Sequence, residues 1–386
     1  MEPMIADHAA TAASGASRIR SAQAACSELA GVRLESRESV AAVLSTLAAH
    51  DLFRWQFLQD RQFAAGEAGE LAAVLQALSS HSNSIATVFM INAIFGAGFV
   101  SFFGDDRQRS EILPAIVQGR CQTAFGLTEP QAGSDAAALT TCCERRGERL
   151  LLRGEKLFTT GAATADLMLV VARDASAAAH GRAVSVILVA PGARGVTIEP
   201  LTTVAQTGHS PCRVRLDDVE LAAGAILGGD AGWSAAWPWL RSMGNLERFA
   251  VAAIALGLAS AALQRAQSHA LQREQFGQPI AAFQALQFAL VEMHTTVTLM
   301  RHLVAVAAAA IESGKDAALA ASTAKYYCAE QLQSLVGNAM RIMGGRAFFD
   351  FEPMSRVYRE APWCLYAGGT SEIQKLLVAR SLGLAK

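Results

Sequence analysis

Charge is scarce in this sequence: 17% of its residues are Asp, Glu, Lys or Arg against 52% hydrophobic, and none of the four occurs between Leu71 and Gly104. No block of Lys and Arg reaches the density that phosphate neutralisation requires, and the formal net charge is -1, which argues against a nucleic-acid partner. Paired CxxC spacing is also missing. The seven cysteines (Cys26, Cys121, Cys142, Cys143, Cys212, Cys328 and Cys364) are odd in number, so neither a disulfide framework nor a metal site is indicated, and a reducing cytoplasm is the expected location. No GxSxG elbow marks a serine hydrolase, and no repeat of fixed period marks a solenoid. The opening Met1-Glu-Pro-Met has neither a basic nor an apolar signal region, so no secretory leader is predicted.

With 386 residues the chain exceeds the size at which a single core stops growing, so two or three packed layers or domains are predicted. Its apolar excess suggests helices buried on several sides or large subunit interfaces, hence a homo-oligomer. Ser84 to Gly104 is long enough to span a bilayer. It also carries Ser84, Asn92, Gly96, Gly98 and Ser101, lacks a flanking cluster of positive charge and continues a helical pattern on either side, so it reads as buried core helix and no membrane partner is predicted. Gly96-Ala-Gly98 is not a dinucleotide fingerprint, because Ser101 takes the third glycine position and no strand precedes it.

The chain divides by texture. Residues 1–25 are an Ala/Ser-rich start expected to be frayed, and 26–120 show apolar residues at helical spacing. Residues 121–234 switch to short apolar runs, of which Leu167 to Val171, Val184 to Val189 and Cys212 to Leu216 read as strands broken by Pro191-Gly192 and Gly195. Residues 235–386 return to helix, predicted at Leu246 to His269, Ala282 to Ser313, Ala317 to Met340 and Gly369 to Leu384. The class is α+β, in the order bundle, sheet, bundle.

Several segments carry residues suited to chemistry. Phe125-Gly-Leu-Thr128-Glu-Pro-Gln-Ala-Gly133-Ser134-Asp135 offers backbone donors and hydroxyls for the pyrimidine edge of a flavin, with Pro130 and Gly133 expected to turn the chain tightly; alone it also fits an ordinary Pro-Gly hairpin. Lys156-Leu-Phe158-Thr159-Thr160-Gly161 follows, where Phe158 in isolation would be a core aromatic. Arg273-Glu-Gln-Phe276-Gly277 precedes Phe283-Gln284; the planar fork of Arg273 suits a pyrophosphate, although a solvated helix-terminal arginine is the plainer account. Ala339-Met-Arg341-Ile-Met-Gly344-Gly345 supplies paired glycines that admit close backbone approach. Last comes Trp363-Cys-Leu-Tyr-Ala-Gly368-Gly-Thr370-Ser-Glu372-Ile-Gln374.

Taken together, from roughly Leu71 to the end, these segments resemble the acyl-CoA dehydrogenases. The resemblance implies an amino-terminal helical domain, a barrel-like middle β domain and a carboxyl-terminal four-helix bundle, with FAD as cofactor. It implies that Phe125, Leu127, Thr128, Gly133 and Ser134 cradle the flavin, that Phe158 replaces a Trp against its face, and that Thr160 donates to N5. It further implies that Arg273, Gln275, Phe276 and Gln284 reach a neighbouring subunit's FAD, that Arg341, Gly344 and Gly345 approach the cofactor, and that Thr370 and Glu372 hold the flavin. Arg341 stands where the family commonly has Gln. Between Thr202 and Cys212 the family pattern is lost, Ala205-Gln206 standing for its usual Met-Gly, and no role is carried over there.

The position where most of the family carries its catalytic glutamate is Gly368. A branch that includes the isovaleryl- and long-chain-specific enzymes carries the base instead at the position of Glu247, within Asn245-Leu-Glu-Arg248. Glu247 alone also reads as a first-turn acid behind Asn245 as N-cap. On the resemblance, Glu247 removes the α-proton of an acyl thioester, a β-hydride passes to flavin N5, and the Gly368 backbone N–H polarises the thioester carbonyl, giving a trans-2-enoyl thioester. Ser134, Asn245, Arg248 and Gly368 would contact the substrate. CoA and carrier-protein pantetheine both remain open as the thiol, with electron-transfer flavoprotein as acceptor and a homodimer or homotetramer as assembly. The missing side chain at Gly368 suggests extra room for a branched acyl group. A flavin oxidase or monooxygenase on the same fold, and a non-catalytic flavin-binding relative, are the competing readings.

Overall fold

The computed structural model describes residues 17–177, 181–205 and 209–384. Residues 17–28 are helical, so the frayed stretch expected to residue 25 gives way to helix at 17; residues 1–16 lie outside the described residues. The chain falls into two compact units: one gathers 24–62 and 87–244, the other 17–23, 63–86 and 245 onward.

The first unit is built on a seven-stranded sheet of β1 (Thr123–Gly126), β2 (Cys142–Arg146), β3 (Arg149–Thr160), β4 (Leu167–Asp174), β5 (Val184–Val189), β6 (Val196–Pro200) and β7 (Pro211–Ala222). Its order is β1-β4-β2-β3-β7-β6, with β5 also paired to β4. β1 and β2 run parallel to β4 along successive stretches of one strand edge, at Leu167 to Val170 and at Arg173 and Asp174, while β5 pairs antiparallel with β4. The three strands expected from sequence are present; β2, β3 and β6 escape sequence reading because charged residues and Gly154 break their apolar alternation, and β1 because its four residues, Thr-Ala-Phe-Gly, are too short to show a period. β5 is buried at every position, as a strand covered on both faces must be. Side chains including Leu150, Leu152, Met168, Val170, Ile187, Val214 and Leu216 form the core.

Helical structure runs without a break from Asn83 to Phe103, with a π-helical stretch at Ile91–Gly98, and 94% of its apolar window is buried in the protein. The wider π turn carries Asn92, whose Oδ1 accepts from both Thr123 N and Thr123 Oγ1 at 2.7 Å and so anchors the start of β1. Gly96 is explained by the same contact: a Cβ there would lie 2.4 Å from Thr123 Oγ1. Helix Arg37–Ala49 is closed by a reciprocal capping box between Ser36 and Ser39.

The second unit is helical. Its long elements are Glu67–His81, the part of Trp237–Gln272 from residue 245, Gln284–Glu312, Ala318–Met343 and Ser371–Ser381. Gln284–Glu312 packs on both Glu67–His81 and Ala318–Met343, and the latter packs on Ser371–Ser381. The Glu312 carboxylate caps the start of Glu67–His81, accepting from Gly66 N at 2.9 Å, Ala68 N at 2.8 Å and Gly69 N at 3.2 Å. Helix Trp237–Gln272 begins nine residues earlier than the expected Leu246, which moves Asn245 and Glu247 from a helix start to a helix interior. Gly257 on this helix admits close approach of Glu67–His81: a Cβ would sit 2.0 Å from Ser79 Oγ and 2.6 Å from Gln76 O. Gly257→Ala is therefore expected to destabilise by about 1–3 kcal/mol through overpacking, beyond the ~1 kcal/mol of helix propensity it gains, measured by urea unfolding.

Candidate active site

In the sheet unit, the loop expected to cradle a flavin is pinned from beneath by a buried ion pair. Lys156 and Glu129 have no solvent-exposed side-chain surface, and Lys156 Nζ donates to Glu129 Oε1 at 2.7 Å and to Leu127 O at 3.1 Å. Glu129 also accepts from Thr140 N at 2.6 Å, Thr140 Oγ1 at 2.9 Å, Gln131 Nε2 at 2.7 Å and Thr141 N at 2.9 Å. Burial alone would lift its carboxyl, but the charge and hydrogen bond of Lys156, joined by Thr141 and Thr140, bring it down to about 2. The tight turn sits at Pro130-Gln131, closed by Glu129 N to Ala132 O at 3.0 Å and Ala132 N to Glu129 O at 3.2 Å. Gly133 takes no left-handed backbone and a Cβ there would touch nothing, so the turn does not need this glycine, contrary to expectation. Gly133 and Ser134 are exposed; Leu127 and Thr128 are half-buried.

Phe158 is not a core aromatic. It occupies a bulge where the β3–β7 register shifts between Lys156 and Thr159, has φ 60, and leaves its side chain 60% exposed. A bulky residue in this backbone region is held there against its own preference, at a cost of about 1–2 kcal/mol. The ring thus stands clear of the sheet, with half-buried Thr160 two residues on at the Pro211 register position. Phe125 is the reverse case: its ring stacks on Phe95 at 4.6 Å and tilts against Phe99 at 5.3 Å. Beyond Thr160, buried His209 fills the space over Gly161, whose Cβ would lie 2.3 Å from His209 Cε1. Burial pulls that imidazole down to about 4, so it is neutral. Ala205 is half-buried, and Gln206 lies outside the described residues.

In the helical unit, Glu247 and Gly368 come together. Gly368 has φ +67, and a Cβ built on it would contact Glu247 Cγ at 3.5 Å, Glu247 Cδ at 3.6 Å and Val251 Cγ2 at 3.7 Å. A Cβ at 368 would meet the Glu247 carboxyl and Val251 in ordinary van der Waals contact, so the Glu247 side chain lies directly beside the position that a side chain at 368 would take. Glu247 lies well inside its helix, so the first-turn-acid account fails. Burial pushes its carboxyl above the ordinary range, while the charges of Arg248 and Lys325 and the Gly368 backbone N–H oppose that lift. Arg248 Nη1 donates to Asn245 Oδ1 at 2.6 Å, and Asn245 Nδ2 to Asp316 Oδ1 at 3.5 Å.

The Gly368 turn is tied from two sides. Gln374 Nε2 donates to Gly368 O at 2.8 Å and Gly369 O at 3.1 Å, and the buried Lys325 Nζ to Leu365 O at 3.0 Å and Gly369 O at 2.5 Å. Thr370 Oγ1 accepts from Ile373 N at 3.3 Å, capping the last helix, and Glu372 is exposed in that helix's first turn. Sequence reasoning missed Lys325, although one lysine within Ala-Ala-Ser-Thr-Ala-Lys325-Tyr-Tyr-Cys-Ala was a signal that a buried acceptor awaited it.

Arg273 ends its helix and leads into a hairpin, Glu274-Gln275 against Gln278-Pro279, whose turn residues Phe276 and Gly277 have φ 53 and 78, the positive values of a type I′ turn. Phe276 is 93% exposed at its tip. Gln275, Gln284, Arg341, Gly344 and Gly345 are exposed as well. Beside the hairpin lies an open cleft of about 580 Å3 lined by Arg265, His269, Arg273, Arg346 and Glu352, a cationic surface that suits an anionic group such as a pyrophosphate.

Comparison with known proteins agrees with this geometry. Residues 124–219 match the family model for the acyl-CoA dehydrogenase middle domain and 236–383 that for its C-terminal domain. The chain belongs to the acyl-CoA dehydrogenase family, whose members are FAD-dependent oxidoreductases. It is 32% identical over 308 residues to an acyl-CoA dehydrogenase of Bacillus subtilis, covering 79% of this chain and 80% of that one. It is 35% identical over 308 residues to a 3-(aryl)acrylate reductase of Clostridium sporogenes, covering 78% and 80%. Butyryl-CoA dehydrogenase from Megasphaera elsdenii shares the fold, with a TM-score of 0.87, 24% identity and coverage of 95% and 97%.

Lys156→Met would strand the buried Glu129 carboxylate and is expected to cost about 3–5 kcal/mol, with Glu129→Gln/Lys156→Met recovering much of the loss in urea unfolding. Because the folded Glu129 carboxyl lies below its unfolded value, its contribution is present above the ordinary carboxylate range and is lost as pH falls toward 2. The double variant should accordingly lose less stability than the native protein between pH 5 and about pH 3.

Proposed function

We propose that this protein is an FAD-dependent acyl-thioester α,β-dehydrogenase in which Glu247 is the base. The observation that carries this reading is the placement of the Glu247 carboxylate in the space above Gly368. A bound flavin supplies the hydride acceptor. Glu247 takes the α-proton, and its raised proton affinity suits that step, since a carboxylate at its ordinary value is too weak a base for an alkyl thioester. The Gly368 N–H polarises the thioester carbonyl and stabilises the enolate-like charge as the proton leaves. Asn245, Arg248 and Ser134 orient the pantetheine arm.

For the cofactor, the residues present fit. Phe158 offers an exposed aromatic wall, Thr160 a hydroxyl beside it, and the Leu127 to Ser134 loop a rigidly supported backbone. Phe125 takes part through its backbone, since its ring is committed to Phe95. Arg273 with the cationic cleft, Gln275, Phe276, Gln284, Arg341, Gly344 and Gly345 fit a pyrophosphate arm reached across a subunit interface, and Thr370 and Glu372 would hold the flavin. Helix Gln284–Glu312 leaves Phe288, Val291, Leu299 and Val306 exposed, and 28% of its apolar window is buried in the chain. We assign that face to a homodimer or homotetramer. Seven free thiols fit a cytoplasmic location. CoA or a carrier-protein arm serves as the thiol, with an electron-transfer flavoprotein as acceptor.

Glu247→Gln is expected to slow flavin bleaching by a thioester about a hundredfold or more while leaving FAD content unchanged. Wild-type bleaching by that variant would sink the reading. The acid limb of the native pH profile should lie above the ordinary glutamate range, because the base works only when deprotonated and its folded proton affinity is raised. Rapid reoxidation of the reduced protein by air would favour an oxidase instead.

A further inference from the structure

We propose that Lys325 is a positioning residue of this site: it clamps the turn that carries Gly368 and places a cation in the field of the Glu247 carboxylate. The inference rests on the dehydrogenase reading for its function but not for its geometry. Lys325 projects from helix Ala318–Met343 with no exposed surface and donates to two carbonyls that bracket Gly368, Leu365 O at 3.0 Å and Gly369 O at 2.5 Å. Gln374 takes the carbonyls of Gly368 and Gly369. With the carbonyls on both sides of it engaged, the Ala367–Gly368 peptide has little freedom to rotate, and the Gly368 N–H keeps one direction.

Two carbonyls could be satisfied by a neutral amide at far lower desolvation cost, so hydrogen bonding alone does not account for a buried ammonium. The acceptor of its charge is nearby. Lys325 and Glu247 lie in each other's field, and the Lys325 charge is one of the influences that hold the Glu247 carboxyl down against burial. Arg248 and the Gly368 N–H act on Glu247 in the same sense; Cys364, Glu330 and Glu372 are the other groups facing Lys325, the last exposed and the thiol pushed up to about 12 by burial. Lys325 would thus favour the ionised form of Glu247 against the lift of burial, and hold the N–H that the thioester carbonyl needs.

The test compares Lys325→Met, Lys325→Gln and Lys325→Arg in the FAD-loaded protein, with two readouts. One is the acid limb of the pH profile of flavin bleaching by a thioester. The other is the Glu247 carboxyl band, taken as the infrared difference between each protein and its Glu247→Gln counterpart across pH without substrate. Met and Gln are expected to move both titrations upward by about one pH unit or more, a tenfold fall in bleaching on the acid side, whereas Arg leaves the titrations in place. A titration that stays at its native pH in the folded Met or Gln variant, or one that Arg moves as far as Met does, overturns the proposal. Should Met fail to fold, Gln and Arg decide it. A native protein that no thioester bleaches, with the carboxyl band still shifted in Lys325→Gln, would sink the dehydrogenase reading and leave the Lys325 assignment standing.

Discussion

Glu247 Cδ stands 3.6 Å from the point where a Cβ on Gly368 would be, and this contact constrains everything around it. The glycine is favoured by its backbone. Its φ of +67 is one that L side chains resist, and a Cβ there would touch the Glu247 carboxyl at ordinary contact distance. Conversely, Glu247 reaches this position only because the helix beginning at Trp237 runs past it without interruption, so that residue 247 is set by helix geometry rather than by a flexible start. A carboxylate fixed by a regular element and an N–H fixed by a clamped turn form a preorganised pair.

Each unit uses a buried lysine in the same way. Lys156 bonds a carbonyl of the Leu127 loop and neutralises Glu129; Lys325 bonds carbonyls on either side of Gly368 and faces Glu247. In each case a short irregular segment, which has no ladder to satisfy its carbonyls, is held by one side chain projecting from a neighbouring regular element. The difference is in the acid. Glu129 is saturated with donors and brought far down, which makes it structural, whereas Glu247 has few donors and is pushed up. Two carboxylates of the same chemical type are thereby separated in role by their surroundings.

Much of this was legible in the residues. The α+β order, three of the strands and the four long carboxyl-terminal helices followed from spacing, and the pairing of Glu247 with Gly368 followed from a gap in a motif. What escaped had physical causes. The start of helix Trp237–Gln272 was misplaced because Asn245 is a good cap residue in isolation, and its side chain is instead engaged by Arg248. β3 was overlooked because a strand with a bulge and Gly154 has no clean two-residue period. Phe158 in isolation reads as a core aromatic and only the family resemblance set it against a flavin, since its exposure depends on a left-handed backbone at a register shift.

The Glu312 cap on helix Glu67–His81 links residues 246 positions apart at its widest, and the unit they share is interrupted by residues 87–244 of the other. On a ribosome the earlier helix therefore emerges long before its cap exists, and its apolar face must wait through the synthesis of an entire intervening sheet. The sheet unit has all its strands by residue 222, so it can mature while its interrupted companion is still missing four of its five long helices. Vectorial synthesis thus imposes an order of assembly, and slowing translation ahead of residue 312 would prolong the interval in which that waiting helix is open to capture by chaperones.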